Sequence, residues 1–307
     1  NNGDERDFAA LTHAPFIYAR PDTIDKFSDI PLVTYYEIFP LDASRFKIRY
    51  TTIFTNEDGG TRTAALMARW GRATDIEWIY EIEIKDGAVV SEIYQGANHE
   101  TKNFSGRKLG NHPLIFNQTI NNNFSDAGCS ELRFAPFPFR ADLSKKSRET
   151  VMDENAWTYR IMAEELVREG RINAARLDAN TIADPRDYLY AEIYTELQNA
   201  AIAVEAETSG GARVSSDDGN ESLRVNRSGY VRVALRLPSD ISKKSPLALA
   251  VRCHVILTAA TEEGVCRNVS PVKIVRLDAN YYPREVKIKS EPRTVKAGEI
   301  VKFTATL

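Results

Sequence analysis

The feature that most constrains this fold is a two-residue alternation of apolar and polar side chains, which recurs along most of the chain. In RFKIRYTTIF, residues 45–54, Phe46, Ile48 and Tyr50 alternate with basic side chains. Later runs are equally rich in β-branched and aromatic residues: DYLYAEIYTEL, AAIAVEAET, YVRVALRLP, LALAVRCHVIL, PVKIVRL and EIVKFTATL. Gly, Asn, Asp and Pro separate these runs. We therefore predict a mainly β protein, an antiparallel β-sandwich rather than a parallel α/β sheet.

One segment has the helical period instead, DENAWTYRIMAEELVRE at residues 153–169. Asp153 is a suitable N-terminal cap, and Gly170 stands where a C-terminal cap is expected. The apolar side chains form one stripe, which predicts packing on a sheet with the tryptophan in the core: Trp157, Ile161 and Leu166.

We place the main division of the chain near residue 200. Residues 1–200 are predicted to form a sandwich-like domain, and residues 201–307 a second β-rich domain. The alternative is that residues 183–197 continue into a single sheet with the later strands. Residues 111–147 are rich in Asn, Pro and Phe with weak periodicity, which is typical of a loop that is functional or disordered.

Composition sets broad limits on partners and location. The chain has 307 residues, 43% hydrophobic and 27% charged, with a net charge of −3, so nucleic-acid binding is disfavoured. No apolar run approaches the roughly 18 residues of a membrane span. Residues 213–307 carry 17 Lys and Arg against 10 Asp and Glu. This excess favours an anionic partner, or else it is an ordinary solvated surface.

Three cysteines are present, and their spacing excludes the usual zinc motifs. Cys253 and Cys266 lie in two β-rich runs around TAATEEG, where a turn near residues 259–260 sets them opposite each other. This arrangement predicts a cross-strand disulfide and a secreted or periplasmic location. The alternative is a pair of small buried side chains in a reduced protein.

The most informative stretch for function is RWGRATDIEWIYEI, residues 69–82. Read in steps of two, the strand beginning here places Asp75, Glu77, Glu81 and Glu83 on one face, interrupted only by an isoleucine. These carboxylates are either a ligand set or the solvated face of a sheet.

Antiparallel pairing with residues 45–54 favours the ligand set at one end. Arg45 and Lys47 then neutralise the distal carboxylates, while the loop at residues 55–61 arrives beside the proximal ones. Oxygen ligands of this kind suit calcium or magnesium, and the predicted ligands are Asp58, Asp75, Glu77 and Asn56. A third strand through TAALMAR, residues 63–69, is the alternative, and it replaces the site with salt bridges.

Four strings carry a resemblance: HAPFIYARPD, TNEDGG, the D-x-E-W element and NHPLIF, all within residues 13–120. They resemble the β-sandwich family of necrosis- and ethylene-inducing-like proteins and their vacuolar-sorting relatives. The resemblance implies a divalent cation held by Asp58, Asp75 and Glu77. RWGRAT replaces the histidines of that family, so its full ligand set is absent. SDIPLVTYYEI, NEDGGT, RWGRATDIEW and DPRDYLY further resemble a group of secreted bacterial proteins of unknown function.

Two of the four histidines are candidates for catalysis. His99 follows a strand that ends near the acidic stretch, and His112 precedes a proline; each is a candidate ligand or general base. The sequence has no G-x-S-x-G elbow, P-loop or dinucleotide fingerprint, so no nucleotide cofactor is expected.

Three functions remain in competition. The first is a secreted cell-envelope or glycan-binding protein with a structural divalent cation. The second is a metal-dependent hydrolase that uses the Asp/Glu/His groups. The third is an extracellular assembly component that associates with itself through its C-terminal strand, KAGEIVKFTATL.

Overall fold

The protein is described by a computed structural model. The structure describes residues 2–23, 29–57, 59–207, 211, 213–238, 246–256, 263–289 and 292–306. The chain forms two compact units. Unit 1 comprises residues 1–61 and 74–144, and unit 2 comprises residues 62–73 and 145–307. The division near residue 200 stays a prediction.

Unit 1 contains one α-helix and eleven strands among the described residues. They are α1 (Asn2–Thr12), β1 (Phe16–Tyr18), β2 (Pro31–Pro40), β3 (Arg45–Phe54), β4 (Asp75–Lys85), β5 (Ala88–Gln95), β6 (Thr101–Asn103), β7 (Lys108–Leu109), β8 (His112–Asn117), β9 (Phe124–Ser125), β10 (Arg133–Phe134) and β11 (Phe139–Arg140). A six-stranded sheet has the order β11-β2-β3-β4-β5-β6, and a second sheet has the order β10-β1-β8-β7 with β9 on β8. Most pairs are antiparallel; β1 with β8 and β2 with β11 are parallel.

The core of unit 1 is built from tyrosines on neighbouring strands. Tyr36, Tyr50 and Tyr80 stand on β2, β3 and β4 with ring centres 6.4 and 6.1 Å apart. Two of their hydroxyls tie α1 to the sheet: Tyr50 donates to the Ala10 carbonyl (2.6 Å), and Tyr36 donates to Asp7 (2.9 Å). These bonds satisfy the phenol groups, so aromatic surface is buried without orphaned hydroxyls.

Unit 2 contains three α-helices and nine strands among the described residues. They are α2 (Thr63–Trp70), α3 (Thr150–Glu154), α4 (Trp157–Arg168), β12 (Tyr188–Gln198), β13 (Ala200–Glu207), β14 (Arg213–Ser215), β15 (Gly229–Arg236), β16 (Pro246–Val255), β17 (Val265–Leu277), β18 (Pro283–Lys289), β19 (Arg293–Lys296) and β20 (Ile300–Thr306). Its strand order is β14-β13-β16-β20-β18-β17-β12-β15, with β19 on β17. Together with unit 1 this confirms the mainly β fold class.

The predicted disulfide is present, but the two strands that it joins are not hydrogen-bonded neighbours in the sheet. Cys253 on β16 and Cys266 on β17 are bonded, with Cα atoms 6.1 Å apart. β16 pairs with β13 and β20, whereas β17 pairs with β12, β18 and β19. The bond therefore crosses the buried apolar core of unit 2 and is not a link between paired strands. The turn near residues 259–260 lies outside the described residues.

The C-terminal strand has partners on both sides. β20 pairs with β16 along Ile300–Thr306 and with β18 along Thr304–Thr306. Association through this strand would therefore have to displace pairing within the chain along those residues, and self-association stays a prediction. None of the described helices is both long enough and apolar enough to cross a membrane.

The helix predicted at residues 153–169 is broken into α3 and α4. Asp153 lies inside α3 and does not cap α4; its carboxylate is paired with the buried Arg232 and the partly exposed Lys273. The expected C-terminal cap is confirmed: Gly170 has φ 69°, and Arg171 N–H donates to the Leu166 carbonyl (2.8 Å). The placement of Trp157 in the core was wrong. Its side chain is 42% exposed, since the buried face is formed by Tyr159, Met162, Ala163 and Leu166.

An ion network inside unit 2 explains the position of Asp153. Arg232 has no solvent exposure and donates two bonds to Asp153, at 2.8 and 2.7 Å. It also donates to Glu192 (3.1 Å), and Lys273 donates to Asp153 (2.8 Å). Ser147 and Thr150, at the start of α3, donate to Glu192. We call Arg232, Asp153, Glu192 and Lys273 the buried ion network; it fixes α3 to β12, β15 and β17.

Reduction of the disulfide is predicted to destabilise unit 2. A bond that closes a loop of this size restricts the unfolded chain, so we expect Cys253→Ala/Cys266→Ala to lower the free energy of unfolding by about 3 kcal/mol. Urea denaturation followed by circular dichroism measures the change. Cys129→Ala is the control, because Cys129 is exposed and free, and it should leave stability unchanged. Equal stability of the double variant and the wild type would refute the prediction.

The buried ion network predicts a loss of stability in acid. Although burial opposes its ionisation, the charges and hydrogen bonds of Arg232 and Lys273 lower the pKa of Asp153 to about 2. A lowered carboxyl pKa stabilises the fold above the unfolded pKa near 4, and this contribution, about 2 kcal/mol, is lost as pH falls toward 2.

We therefore expect Asp153→Asn to be destabilised at pH 7 by about 3 kcal/mol and to show a weaker loss between pH 4 and pH 2 than the wild type. Urea unfolding across this range makes the comparison. Glu164→Gln is the control, since Glu164 is an exposed carboxylate of α4 (61%) and its removal should change stability by less than about 0.5 kcal/mol. Identical acid profiles for Asp153→Asn and the wild type would contradict the assignment.

Candidate functional site

A β-bulge in β4 determines where the acidic side chains point. Tyr50 of β3 pairs with Tyr80, while the next β3 residue pairs with Trp78, so Ile79 is an extra residue in β4. Tyr50, Ile79 and Tyr80 all lie in the same buried core cluster. Side chains alternate between the two faces on each side of Ile79, but the alternation after Ile79 is shifted by one residue relative to the alternation before it.

The bulge separates the four carboxylates into two pairs on opposite faces. Asp75 lies opposite Phe54, a core residue, and Glu77 lies opposite Thr52, so both face the core side of the sheet. Glu81 and Glu83 face the other side. The prediction of a single acidic face was wrong, because a strict two-residue period cannot include the extra residue.

The distal pair is neutralised as predicted. Lys47 lies 3.0 Å from Glu81, and Arg45 lies 3.5 Å from Glu83. Arg49 adds a second bond to Glu81 at 2.6 Å. The antiparallel pairing of β3 with β4 is confirmed, and the alternative third strand is wrong, because residues 63–69 lie in α2.

On the core side of the sheet, asparagines connect the segment after β3 with the start of β4. Asn122 is fully buried and donates both to Asp75 (2.9 Å) and to the backbone carbonyl of Asn56 (3.2 Å). Asn117 donates to the side-chain oxygen of Asn122 (2.5 Å). Asn56 itself is buried, and its side chain accepts from the Asp29 backbone N–H (3.2 Å). Asn56 and Asp75, two predicted metal ligands, are thus brought together by Asn122.

Glu77 approaches His99. Its Oε2 atom accepts from Gln95 (2.5 Å) and lies 3.7 Å from Nδ1 of His99. The two ring nitrogens of His99 are 3.2 Å from the amide of Asn121 and 3.3 Å from that of Asn123. The His99 side chain is 49% exposed, so this end of the cluster is open to solvent.

We call this set the polar cluster: Asn56, Asp75, Glu77, Gln95, His99, Asn121, Asn122 and Asn123. Three residues in or beside it have left-handed backbone: Asn98 (φ 57°), His99 (φ 60°) and Asn122 (φ 44°). Such conformations cost free energy for residues other than glycine, and they concentrate at functional sites.

Two predicted site residues, Asp58 and His112, are not part of the polar cluster as the structure describes it. Asp58 is outside the described residues. His112 lies at the start of β8, where its Nδ1 is 2.7 Å from the Ala14 carbonyl and its ring packs 5.2 Å from Phe16. Its described contacts therefore serve the packing of β1 on β8.

The polar cluster offers carboxylate and amide oxygens together with one imidazole. Hard cations prefer such oxygens, so the donor types fit calcium or magnesium. Among the described residues, no three His, Cys, Asp or Glu side chains converge as metal ligands. A metal site built here would use amide oxygens such as that of Asn56 beside the carboxylates, and the assignment of ligands stays a prediction.

The sequence analysis did not predict that individual asparagines of the loop belong to the site. The sequence indicated that residues 111–147 were unusual, but nothing in it singled out Asn121, Asn122 or Asn123. The run of three asparagines before a phenylalanine was the available signal. Asn adopts left-handed backbone more readily than most residues, which suits a tight loop that turns side chains inward.

No family model, curated protein or solved structure matches this chain.

Asn122 is predicted to be the residue that holds the polar cluster together. Asn122→Ala removes bonds to Asp75, Asn117 and Asn56 and leaves buried polar groups without these partners, so we expect a loss of about 2 kcal/mol in the free energy of unfolding. Gln118→Ala, an exposed position in the same loop, is the control and should cost less than about 0.5 kcal/mol. Chemical denaturation of the two variants measures both losses; a loss in Asn122→Ala no larger than that in Gln118→Ala would contradict the prediction.

Proposed function

We propose that this protein is an extracytoplasmic β protein that binds a carbohydrate of the cell envelope through the polar cluster, with a calcium or magnesium ion held beside Asp75 and Glu77. The observation that carries the proposal is the position of these two carboxylates. The bulge at Ile79 turns them to the face where buried asparagines and a partly exposed histidine surround them.

The chemistry of the cluster suits a polyhydroxylated ligand. A sugar hydroxyl both donates and accepts hydrogen bonds, carboxylates accept only, and amides do both. Glu77 supplies acceptors, and Asn121 and Asn123 supply amides around His99. Asn123 is buried, so the solvent-exposed part is formed by His99 and the partly exposed Asn121. A few fixed polar groups of this kind are what orient a small ligand in a protein site.

A cation would complement the same groups. Asp75 is nearly fully buried, with 2% exposure, and Glu77 is partly buried. Oxygen ligands from adjacent chain segments match the preference of calcium and magnesium. The cation would be coordinated by these carboxylates and would fix the loop that carries the asparagines.

The disulfide supports a secreted or periplasmic location. Disulfides persist in oxidising compartments and are rare in the reducing cytosol. The Cys253–Cys266 bond is buried in the core of unit 2, with both cysteines at 0% exposure, so it is part of the fold.

The approach of Glu77 to His99 favours a second candidate, a metal-dependent hydrolase. A carboxylate and an imidazole nitrogen 3.7 Å apart are a candidate pair for activating water, and a bound cation would lower the pKa of that water. Hydrolysis of glycan, phosphodiester and peptide substrates with and without a chelator tests this candidate. Activity that is abolished in His99→Ala supports it, and absence of turnover on all three substrate classes removes it.

The main proposal predicts that ligand binding depends on the proximal carboxylate and not on the distal one. We expect Glu77→Gln to lose calcium or magnesium binding in calorimetry and to weaken glycan binding on an array about tenfold or more. Glu83→Gln is the matched control, because it removes the same charge from the same strand on the opposite face. The proposal fails if the wild type binds neither cation nor glycan, or if both variants lose binding equally.

A further inference from the structure

A largely buried histidine of unit 2 faces a carboxylate without bonding to it. His254 lies on β16, and its Nε2 atom is 4.0 Å from Oδ2 of Asp217. This nitrogen is enclosed and has no hydrogen-bond partner among the described residues. The side chains of His254 and Asp217 are 19% and 5% exposed. His254 is also the only histidine in the sequence of unit 2, so a histidine titration in this unit belongs to this contact.

Asp217 is carried by a loop that leaves one edge of β13 and returns to it. We call residues 217–224 the strap loop. On either side of it, Ser216 and Val225 form backbone hydrogen bonds with β13, on the edge that also pairs with β14. β16 pairs with the opposite edge of β13. Since neighbouring strands are about 4.8 Å apart, Asp217 reaches His254 only across β13.

β13 has small side chains on the face that the strap loop crosses. Ile202 and Val204 lie in the core of unit 2, so the alternate residues Ala201 and Ala203 point to the opposite face, the outer face of β13. Both alanines are nearly fully buried, with 5% and 0% exposure, and Ala201 is the register partner of His254. The short side chains leave space for a loop to lie close to the strand.

The strap loop is held closed mainly by the carboxylate of Asp217. Its Oδ1 atom accepts from the Ser215 hydroxyl (2.6 Å) and from the Gly219 backbone N–H (3.2 Å). Its Oδ2 atom accepts from Nε of Arg224 (2.9 Å). Although burial opposes this change, these hydrogen bonds lower the pKa of Asp217, so it stays ionised near neutral pH. Both carboxylate oxygens are therefore engaged before His254 is considered.

The neighbouring strands add a second arginine that is also paired. Arg252 lies two residues before His254 on the same face of β16, and its Nη2 donates to Glu205 of β13 (3.0 Å). On β20, Lys302 lies on the same side of the sheet, opposite Ala250. The charges facing His254 thus comprise two arginine–carboxylate pairs and one further cation.

A proton on His254 would add a positive charge where the nearby carboxylates already have partners. An enclosed charge without a partner of its own is costly. Burial, followed by the charge of Arg224, lowers the pKa of His254; Arg252 adds to this change, and Asp217 and Glu205 oppose it. A lowered histidine pKa stabilises the closed form above the ordinary pKa of about 6.5, and this stabilisation is lost as pH falls below it.

We infer that the strap loop is an acid-sensitive gate, which opens when His254 is protonated and exposes the outer face of β13. Opening lets water solvate the imidazolium, which the closed loop does not allow. The tip of the loop is a tight turn, with left-handed backbone at Asp218 (φ 46°) and Gly219 (φ 73°). Because the closing bonds converge on one carboxylate, the loop can open as a unit.

Hydrogen exchange of the amides at residues 216–225 tests the inference. Exchange is followed by mass spectrometry from pH 7.5 to pH 5.5 and corrected for the intrinsic pH dependence of exchange. We expect opening in the wild type to increase by up to about tenfold, the limit that the ordinary histidine pKa sets at pH 5.5. His254→Gln should abolish the increase. His112→Gln is the matched control, because it removes a histidine of unit 1 and should keep the wild-type response.

A second variant tests the closing bonds at constant pH. Asp217→Asn removes the charge that pairs with Arg224, so the loop should exchange faster already at pH 7.5. Asp218→Asn is its matched control: it removes the same charge from the adjacent, exposed residue, and asparagine tolerates left-handed backbone, so the loop should stay closed.

An NMR titration of the imidazole C2 protons in the wild type gives a reading even if His254→Gln does not fold. We expect His254 to titrate below the ordinary histidine value. The inference is overturned if His254 titrates at or above that value, if exchange at residues 216–225 does not rise on acidification, or if His254→Gln keeps the wild-type response.

Discussion

In unit 1, one extra residue in a strand decides which way its carboxylates point. Ile79 has no separate partner on β3, and Asp75 and Glu77 before it consequently lie on the core side of the sheet. The distal carboxylates consequently meet Lys47 and Arg45, whereas the proximal ones meet asparagines and His99. A single stretch of sequence thus supplies both a salt-bridged surface and a polar cluster.

Unit 2 is organised around charge buried inside an apolar sandwich. A disulfide crosses its core, and Arg232 holds the helical segment through Asp153 and Glu192. A buried cation needs partners with good geometry, because each unpaired charge in the interior costs several kcal/mol.

Much of the fold could be predicted because strands leave a local signature. Alternation identified β3, β4 and most strands of unit 2, and charge complementarity gave the correct antiparallel pairing of β3 with β4. The helical period was also visible, but the break between α3 and α4 was not. Next to the break, Asp153 accepts hydrogen bonds from Arg232 and Lys273, and these partners are distant in sequence and leave no local signal.

By itself the sequence determined the mainly β class, the existence of the cysteine pair and the carboxylates available to a site, since these depend on residue type and local period. Tertiary structure decided that the disulfide crosses the core of unit 2. It also placed Asp75 and Glu77 on the opposite face of β4 from Glu81 and Glu83. Finally, it brought Asn122 into contact with Asp75, at the start of β4. The physical reason is the same in each case. Sheet partners and bulges are set by contacts between residues far apart in the chain, and a shift of one residue reverses the face on which every following side chain lies.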